Sequence, residues 1–260
     1  MHRRIFAPLV LAALLGASAA VLGQSGSLAI AAASDLQAVF PALVSGFERE
    51  AGMKAAVTFG SSGNFFAQIQ NGAPFDLYFS ADIDYPRRLA GSGYADAGTL
   101  YQYATGRIVL WTRQDSGIDI RRGLSVLRDA RVRRIAIANP AVAPYGRAAA
   151  AALRSEKLYD AVQHKLVQGD NIAQTAQLAD SGNADVAILA HSLALGPALA
   201  GSGTYVEIAA TAHPPIEQAA IVVSASKNRA AAQRFLAYVK GPQAQALFKQ
   251  YGFTTSTPAP

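Results

Sequence analysis

The chain has 260 residues, 51% hydrophobic and 15% charged, with 23 Lys and Arg against 17 Asp and Glu and no cysteine. That length can bury a substantial core, as one large domain or as two lobes of about 110 residues each, and it exceeds a single four-helix bundle. The lack of cysteine excludes a disulfide framework and an acylated lipobox cysteine, and the mild positive excess, densest at Arg131, Arg133 and Arg134 without interleaved aromatics, reads as a solvated face rather than a nucleic-acid site.

Residues 1–25 read as a secretory signal peptide: His2, Arg3 and Arg4 give a basic start, an apolar run covers 6–15, and small residues follow at 16–20. The run is shorter than the roughly 20 residues that span a bilayer, and no second stretch follows it. The expected destination is the soluble periplasm.

From Leu28 onward, apolar strands alternate with helical stretches. Residues 28–33 form the first strand, and 36–50 place Leu36, Phe40, Leu43 and Phe47 at helical spacing. The unit recurs as strand 55–59 with helix 63–70, then strand 76–80 with helix 83–90, with Gly and Pro at the joins. Three such units predict a parallel, doubly wound sheet.

A second set predicts strand 107–112, strand 135–138, helix 145–157, strand 166–168, helix 172–181 and strand 186–190. After a strand at 221–224 the chain ends in helices 229–240 and 243–251, which have no strand between them and suit docking on the first lobe. The pattern predicts an α/β chain in two lobes, 26–105 plus 224–260 and 106–223, with crossovers near 103–107 and 218–224. No flexible linker composition separates them, so the lobes should hinge.

In parallel α/β sheets ligands sit beyond the carboxyl ends of the strands. There the sequence reads Ala33-Ser34-Asp35, Gly60-Ser61-Ser62-Gly63, Pro144-Tyr145-Gly146 and Gly169-Asp170-Asn171-Ile172. The first turns of helices carry unpaired N–H groups and partial positive charge, so several converging ends hold a dianion without a cationic side chain. Ser34 and Ser62 add hydroxyl donors, Pro144 at the first helical position leaves the Tyr145 N–H free, and Asp170 or Asn171 as a cap exposes that of Ile172. Taken singly, Ser34, Ser62 and Asn171 also read as ordinary N-caps.

Enzyme chemistry finds little support in the residues. Ser62 with an Asp and one of His164, His191 or His213 would make a triad, but Gly60-Ser61-Ser62-Gly63 lacks the G-x-S-x-G spacing. No H-E-x-x-H run, clustered Cys and His, or G-x-x-x-x-G-K run occurs, so no metal cation, cofactor or nucleotide is expected.

Several motifs in one order resemble the periplasmic molybdate-binding proteins of ABC transporters, the ModA family. They are Ala31-Ala32-Ala33-Ser34-Asp35-Leu36, Phe59-Gly60-Ser61-Ser62-Gly63, the run from Gly72-Ala73-Pro74-Phe75-Asp76 to Ser80-Ala81-Asp82, Asn139-Pro140 with Ala143-Pro144-Tyr145-Gly146, and Gly241-Pro242-Gln243-Ala244 running to Tyr251-Gly252-Phe253. The resemblance covers about 28–253. It implies a two-lobed periplasmic-binding-protein fold of the Venus-flytrap type II class, each lobe a mostly parallel sheet flanked by helices.

It further implies a monomeric, non-enzymatic binder of molybdate or tungstate that delivers its ligand to an inner-membrane ABC permease with its own ATPase. Ser34 and Ser62 would supply hydroxyl and amide donors and Tyr145 and Ile172 backbone amides, with Ser61 the rival of Ser62. Some relatives add a tyrosine hydroxyl after the strand at 186–189; here Ile188-Leu189-Ala190-His191 offers none, leaving a backbone group near Ala190 or one donor fewer. Asp35, a carboxylate facing a dianion, is expected to cap its helix with its side chain turned away. Sulfate, phosphate or a small organic anion is the alternative ligand, and a secreted serine hydrolase the alternative class.

Overall fold

The computed structural model describes residues 27–255, and the expected signal peptide at 1–25 lies outside them. The chain opens with β1 (Leu28–Ala33), a 3₁₀ turn (Ser34–Gln37), α1 (Phe40–Ala51), β2 (Ala55–Gly60), α2 (Ser62–Gln70), β3 (Leu77–Ser80), α3 (Asp84–Gly91) and β4 (Tyr101–Gly106). It continues with β5 (Ile108–Arg113), β6 (Ile135–Ala138), α4 (Pro144–Ser155), α5 (Tyr159–Val162), β7 (Leu166–Gly169), α6 (Ile172–Asp180), β8 (Val186–Ala190), α7 (His191–Ala194) and β9 (Gly203–Glu207). β10 (Ile216–Val222), α8 (Arg229–Lys240) and α9 (Pro242–Gln250) complete it.

Two five-stranded sheets result, ordered β2-β1-β3-β10-β4 and β7-β6-β8-β5-β9. In the first, β1 runs parallel to β2 and β3, with Leu28 opposite Ala55 and Ile30 opposite Leu77, while β10 is antiparallel to both β3 and β4. In the second, β6 is parallel to β7 and β8, and β5 is antiparallel to β8 and β9. Each lobe is therefore a parallel unit closed on one side by antiparallel strands. This is the two-lobed, type II arrangement.

The sequence division needs one correction. β10 pairs with β3 and β4, so the first lobe resumes at Ile216 and the return crossover occupies 208–215, not 218–224. Glu217 and Gln218 hide this strand's first half from a hydropathy reading, yet Gln218 is fully buried because a polar cluster satisfies its amide. The outward crossover is the single residue Arg107 between β4 and β5. β4 and β9 were not expected as strands; β9 carries only half-buried and exposed residues at the sheet edge, where the apolar signal is weak.

The helix expected at 36–50 is broken in two. Pro41 has no N–H to donate back to Gln37, so it sits in the first turn of α1 behind the separate 3₁₀ turn. The outcome is a short, tight corner directly after β1 that carries Ser34 and Asp35.

The core of the first lobe is aromatic: Phe40 meets Phe79 edge-on at 5.0 Å, and Phe47 meets Phe235 at 4.9 Å. Phe235 of α8 and Phe248 of α9 are fully buried in this cluster, so the C-terminal helices dock on the first lobe. The second lobe packs around Trp111, Leu110 and Ile137, and Ala33 and Ala81 of the first lobe join that cluster from across the cleft. The two lobes are shut against each other at this seam.

Candidate functional site

The carboxyl ends of β1, β2, β6 and β7 converge at the seam. A narrow cavity of about 10 Å³ is lined there by Ser34, Ser61, Ser62, Tyr145 and Ile172 together with Asp35, Gly60, Pro144 and three alanines. All four expected site residues thus border one small space. Larger concavities lie elsewhere, one between α1 and α8 around Phe47, Arg234 and Tyr238, and border none of these residues.

Each element presents its donor for a local reason. Pro144 occupies the first position of α4, which puts the Tyr145 amide in the first turn without an intrahelical partner. Asn171 caps α6, its side chain accepting from the N–H groups of Ala173 and Gln174, and leaves the Ile172 amide at the helix tip. Asp170 is not the cap.

Ser61 and Ser62 divide their tasks. Ser61 is the N-cap of α2 and its Oγ accepts from the Asn64 N–H at 3.4 Å. Ser62, fully buried, accepts from the Ala81 N–H at 2.9 Å, which leaves its own hydroxyl hydrogen for another acceptor. Ser34 Oγ accepts from Ala173 N–H of the opposite lobe at 3.4 Å.

Asp35 departs from expectation. Ala33, without a side-chain cap, begins the 3₁₀ turn, and the Asp35 carboxyl faces inward. Its Oδ2 accepts from the Gln218 amide at 2.7 Å and from the Tyr145 hydroxyl at 3.0 Å, and Tyr103 Oη donates to Gln218 Oε1 at 2.7 Å. Among the described residues Oδ1 has no hydrogen-bond partner. Burial pushes this carboxyl up to about 6, against the lowering effect of the Gln218 and Tyr145 bonds, and burial also holds the Tyr145 and Tyr103 hydroxyls well above their usual range.

Further contacts clasp the lobes. Gly63 N–H donates to Val142 O at 2.9 Å, and a Cβ at Gly63 would lie 2.8 Å from that oxygen, so only a bare backbone permits the approach. Ser192 Oγ donates to Asp35 O at 2.7 Å, and Arg147 pairs with Asp82 and donates to Tyr85 Oη. Arg147 thereby stays in the neighbouring part of the cleft, and among the described residues no Lys, Arg or His lines the cavity.

Residues 28–254 match the family described as bacterial extracellular solute-binding protein. The molybdate-binding protein ModA of Azotobacter vinelandii is 35% identical over 234 residues, covering 90% of this chain and 92% of that protein. This chain belongs to the ModA family. The ModA of Rhodobacter capsulatus is 34% identical, covering 80% and 81% of the two chains. The solved periplasmic molybdate-binding protein of Azotobacter vinelandii superposes with a TM-score of 0.83 at 31% identity, covering 89% of this chain and all of that one.

For a ModA-family chain, the stretch after β8 was the open question. Neither Ala190 nor His191 borders the cavity: His191 is buried against the Tyr205 ring at 5.1 Å, and its burial lowers its imidazole. A backbone donor near Ala190 is therefore not brought to the site. Sequence reasoning missed Gln218, which donates to the Asp35 carboxyl, and Tyr103, which orients that amide. A lone Gln beside the apolar run 219–223 was the available signal for the first.

Proposed function

We propose that this chain is the periplasmic solute-binding component of an ABC importer, that it captures molybdate and tungstate, and that it hands them to a membrane permease whose separate ATPase drives import. The observation that carries this reading is the meeting of two serine hydroxyls and the tips of α4 and α6 around one small cavity without a cationic side chain. Neutral donors suit an oxyanion that is fully deprotonated at neutral pH and only accepts. Ser34 and Ser62 are the hydroxyl donors, Tyr145 and Ile172 the amide donors, and lobe closure marks the loaded form for the permease.

Micromolar to nanomolar capture corresponds to about −8 to −12 kcal/mol, within reach of a half dozen charge-assisted hydrogen bonds. The protein acts as a monomer and performs no reaction; the solute-binding family to which it belongs supports the binding role. The decisive experiment is calorimetric titration of the purified protein with molybdate, tungstate, sulfate and phosphate. Binding of the first two at least a hundredfold tighter than sulfate is the expected result, and equal affinities would overturn the specificity.

One observation favours a second ligand. Hydrogen phosphate carries a hydrogen that needs an acceptor, and Asp35 Oδ1 is a buried oxygen without a partner beside the cavity. Tighter binding of phosphate than of molybdate in the same titration would decide for it.

A further inference from the structure

The cavity holds one group whose chemistry the donor set does not explain. Asp35 lines it, is fully buried, and lies where a doubly charged guest would sit. As an ionised carboxylate it would repel that guest at close range. As a neutral acid it would be one more donor.

The surrounding hydrogen bonds decide which oxygen would carry the proton. Gln218 Nε2 and Tyr145 Oη both donate to Oδ2, and the Gln218 amide is oriented by Tyr103, which donates to its Oε1. Oδ2 is filled by two donors, so the acid hydrogen belongs on Oδ1, the oxygen that no protein group contacts. From Gln218 the other amide hydrogen reaches Tyr145 Oη at 2.9 Å, which closes the network and fixes its direction.

We propose that Asp35 binds the oxyanion as a neutral acid through Oδ1–H, so that each molybdate captured takes up one proton from solvent. This inference rests on the oxyanion reading of the site. The groups facing the carboxyl are Tyr145 from α4, Gln218 from β10, Tyr103 from β4 and, at its own carbonyl, Ser192 from α7. Both tyrosines are held neutral well past the physiological range by burial, and His191 of α7 packs on Tyr205 instead. Among the described residues no charged partner stands ready to stabilise an ionised Asp35, and burial in the shut cleft already raises its carboxyl to about 6. A bound dianion raises it further, and by linkage the affinity falls about tenfold per pH unit above that value.

Calorimetry of the purified protein with sodium molybdate, at pH 7.5 in buffers of different ionisation enthalpy, counts the protons. Close to one proton per molybdate is expected, with dissociation constants rising about fiftyfold from pH 6 to pH 8. Asp35→Asn, which keeps a donor there without a titrating group, is expected to bind with no proton uptake and less than a threefold change over the same range. Tight binding by the native protein with no proton uptake overturns the inference, as does uptake that survives in Asp35→Asn; absence of molybdate binding at every pH instead overturns the oxyanion reading itself. If the variant does not fold, infrared difference spectra of the native protein decide: a protonated carboxyl band growing on molybdate addition at pH 7.5 supports the inference and its absence sinks it.

Discussion

The hydroxyl of Tyr145 donates to Oδ2 of Asp35 at 3.0 Å across the cleft, so a first-lobe carboxyl is tied to the tip of a second-lobe helix. Gly106 makes room for this bond. A Cβ there would lie 2.2 Å from Tyr145 Oη and 2.8 Å from Gln218 Nε2. Gly106→Ala is therefore expected to displace Tyr145 and its amide, costing about 1–3 kcal/mol of stability and weakening molybdate binding tenfold or more. Thermal unfolding and titration measure both, and an unchanged protein would show that the cluster does not set the closed geometry.

The two neighbouring serines should separate cleanly. Ser62→Ala removes a charge-assisted donor, worth about 1.5–3 kcal/mol or roughly a ten- to hundredfold loss of affinity, and also orphans the buried Ala81 N–H. Ser61→Ala removes only a helix cap, costing about 1 kcal/mol of stability with affinity within threefold of the native value. Reversal of the two effects on affinity would make Ser61 the ligand and Ser62 the scaffold.

How much of this was legible in the sequence follows from where each signal comes from. β1, β6, β8 and α8 match their expected bounds because their apolar residues are buried in one unbroken run or stripe. Ser34, Ser62, Tyr145 and Ile172 could be placed together from the sequence because strand ends and helix starts are local features, and all four border one cavity. Gln218, Tyr103 and Gly106 could not, since a buried polar network joins residues as far apart as 35 and 218 and no local pattern records that. Asp35 was misjudged for the same reason: its partners come from β10 and α4, not from its own turn.

The same carboxyl should shape the stability of the shut form against pH. Folding raises it from 3.8 to about 6, so the native state holds this proton more tightly than the unfolded chain. The stabilisation is complete below about pH 4 and is lost as pH rises through 6, an effect on the order of 3 kcal/mol. Asp129, held low by Arg131, acts in the opposite direction only in stronger acid, while His191, lowered by burial, offsets part of the effect in the same window in native and variant proteins alike. Melting temperature is expected to rise on acidification from pH 7 to 5, and this rise should vanish in Asp35→Asn.

Arg147 and Asp82 join the lobes beside the cavity rather than in it, so their pair should govern how long the cleft stays shut. Their side chains are 39% and 26% exposed, and solvent screening limits such a pair to about 1 kcal/mol. Arg147→Ala should accordingly release molybdate about fivefold faster, with association nearly unchanged, because the donors at the helix tips remain. Added salt should narrow the difference between native and variant proteins. Stopped-flow release measurements check this, and a slower association with unaltered release would instead assign Arg147 to steering the anion toward the cleft.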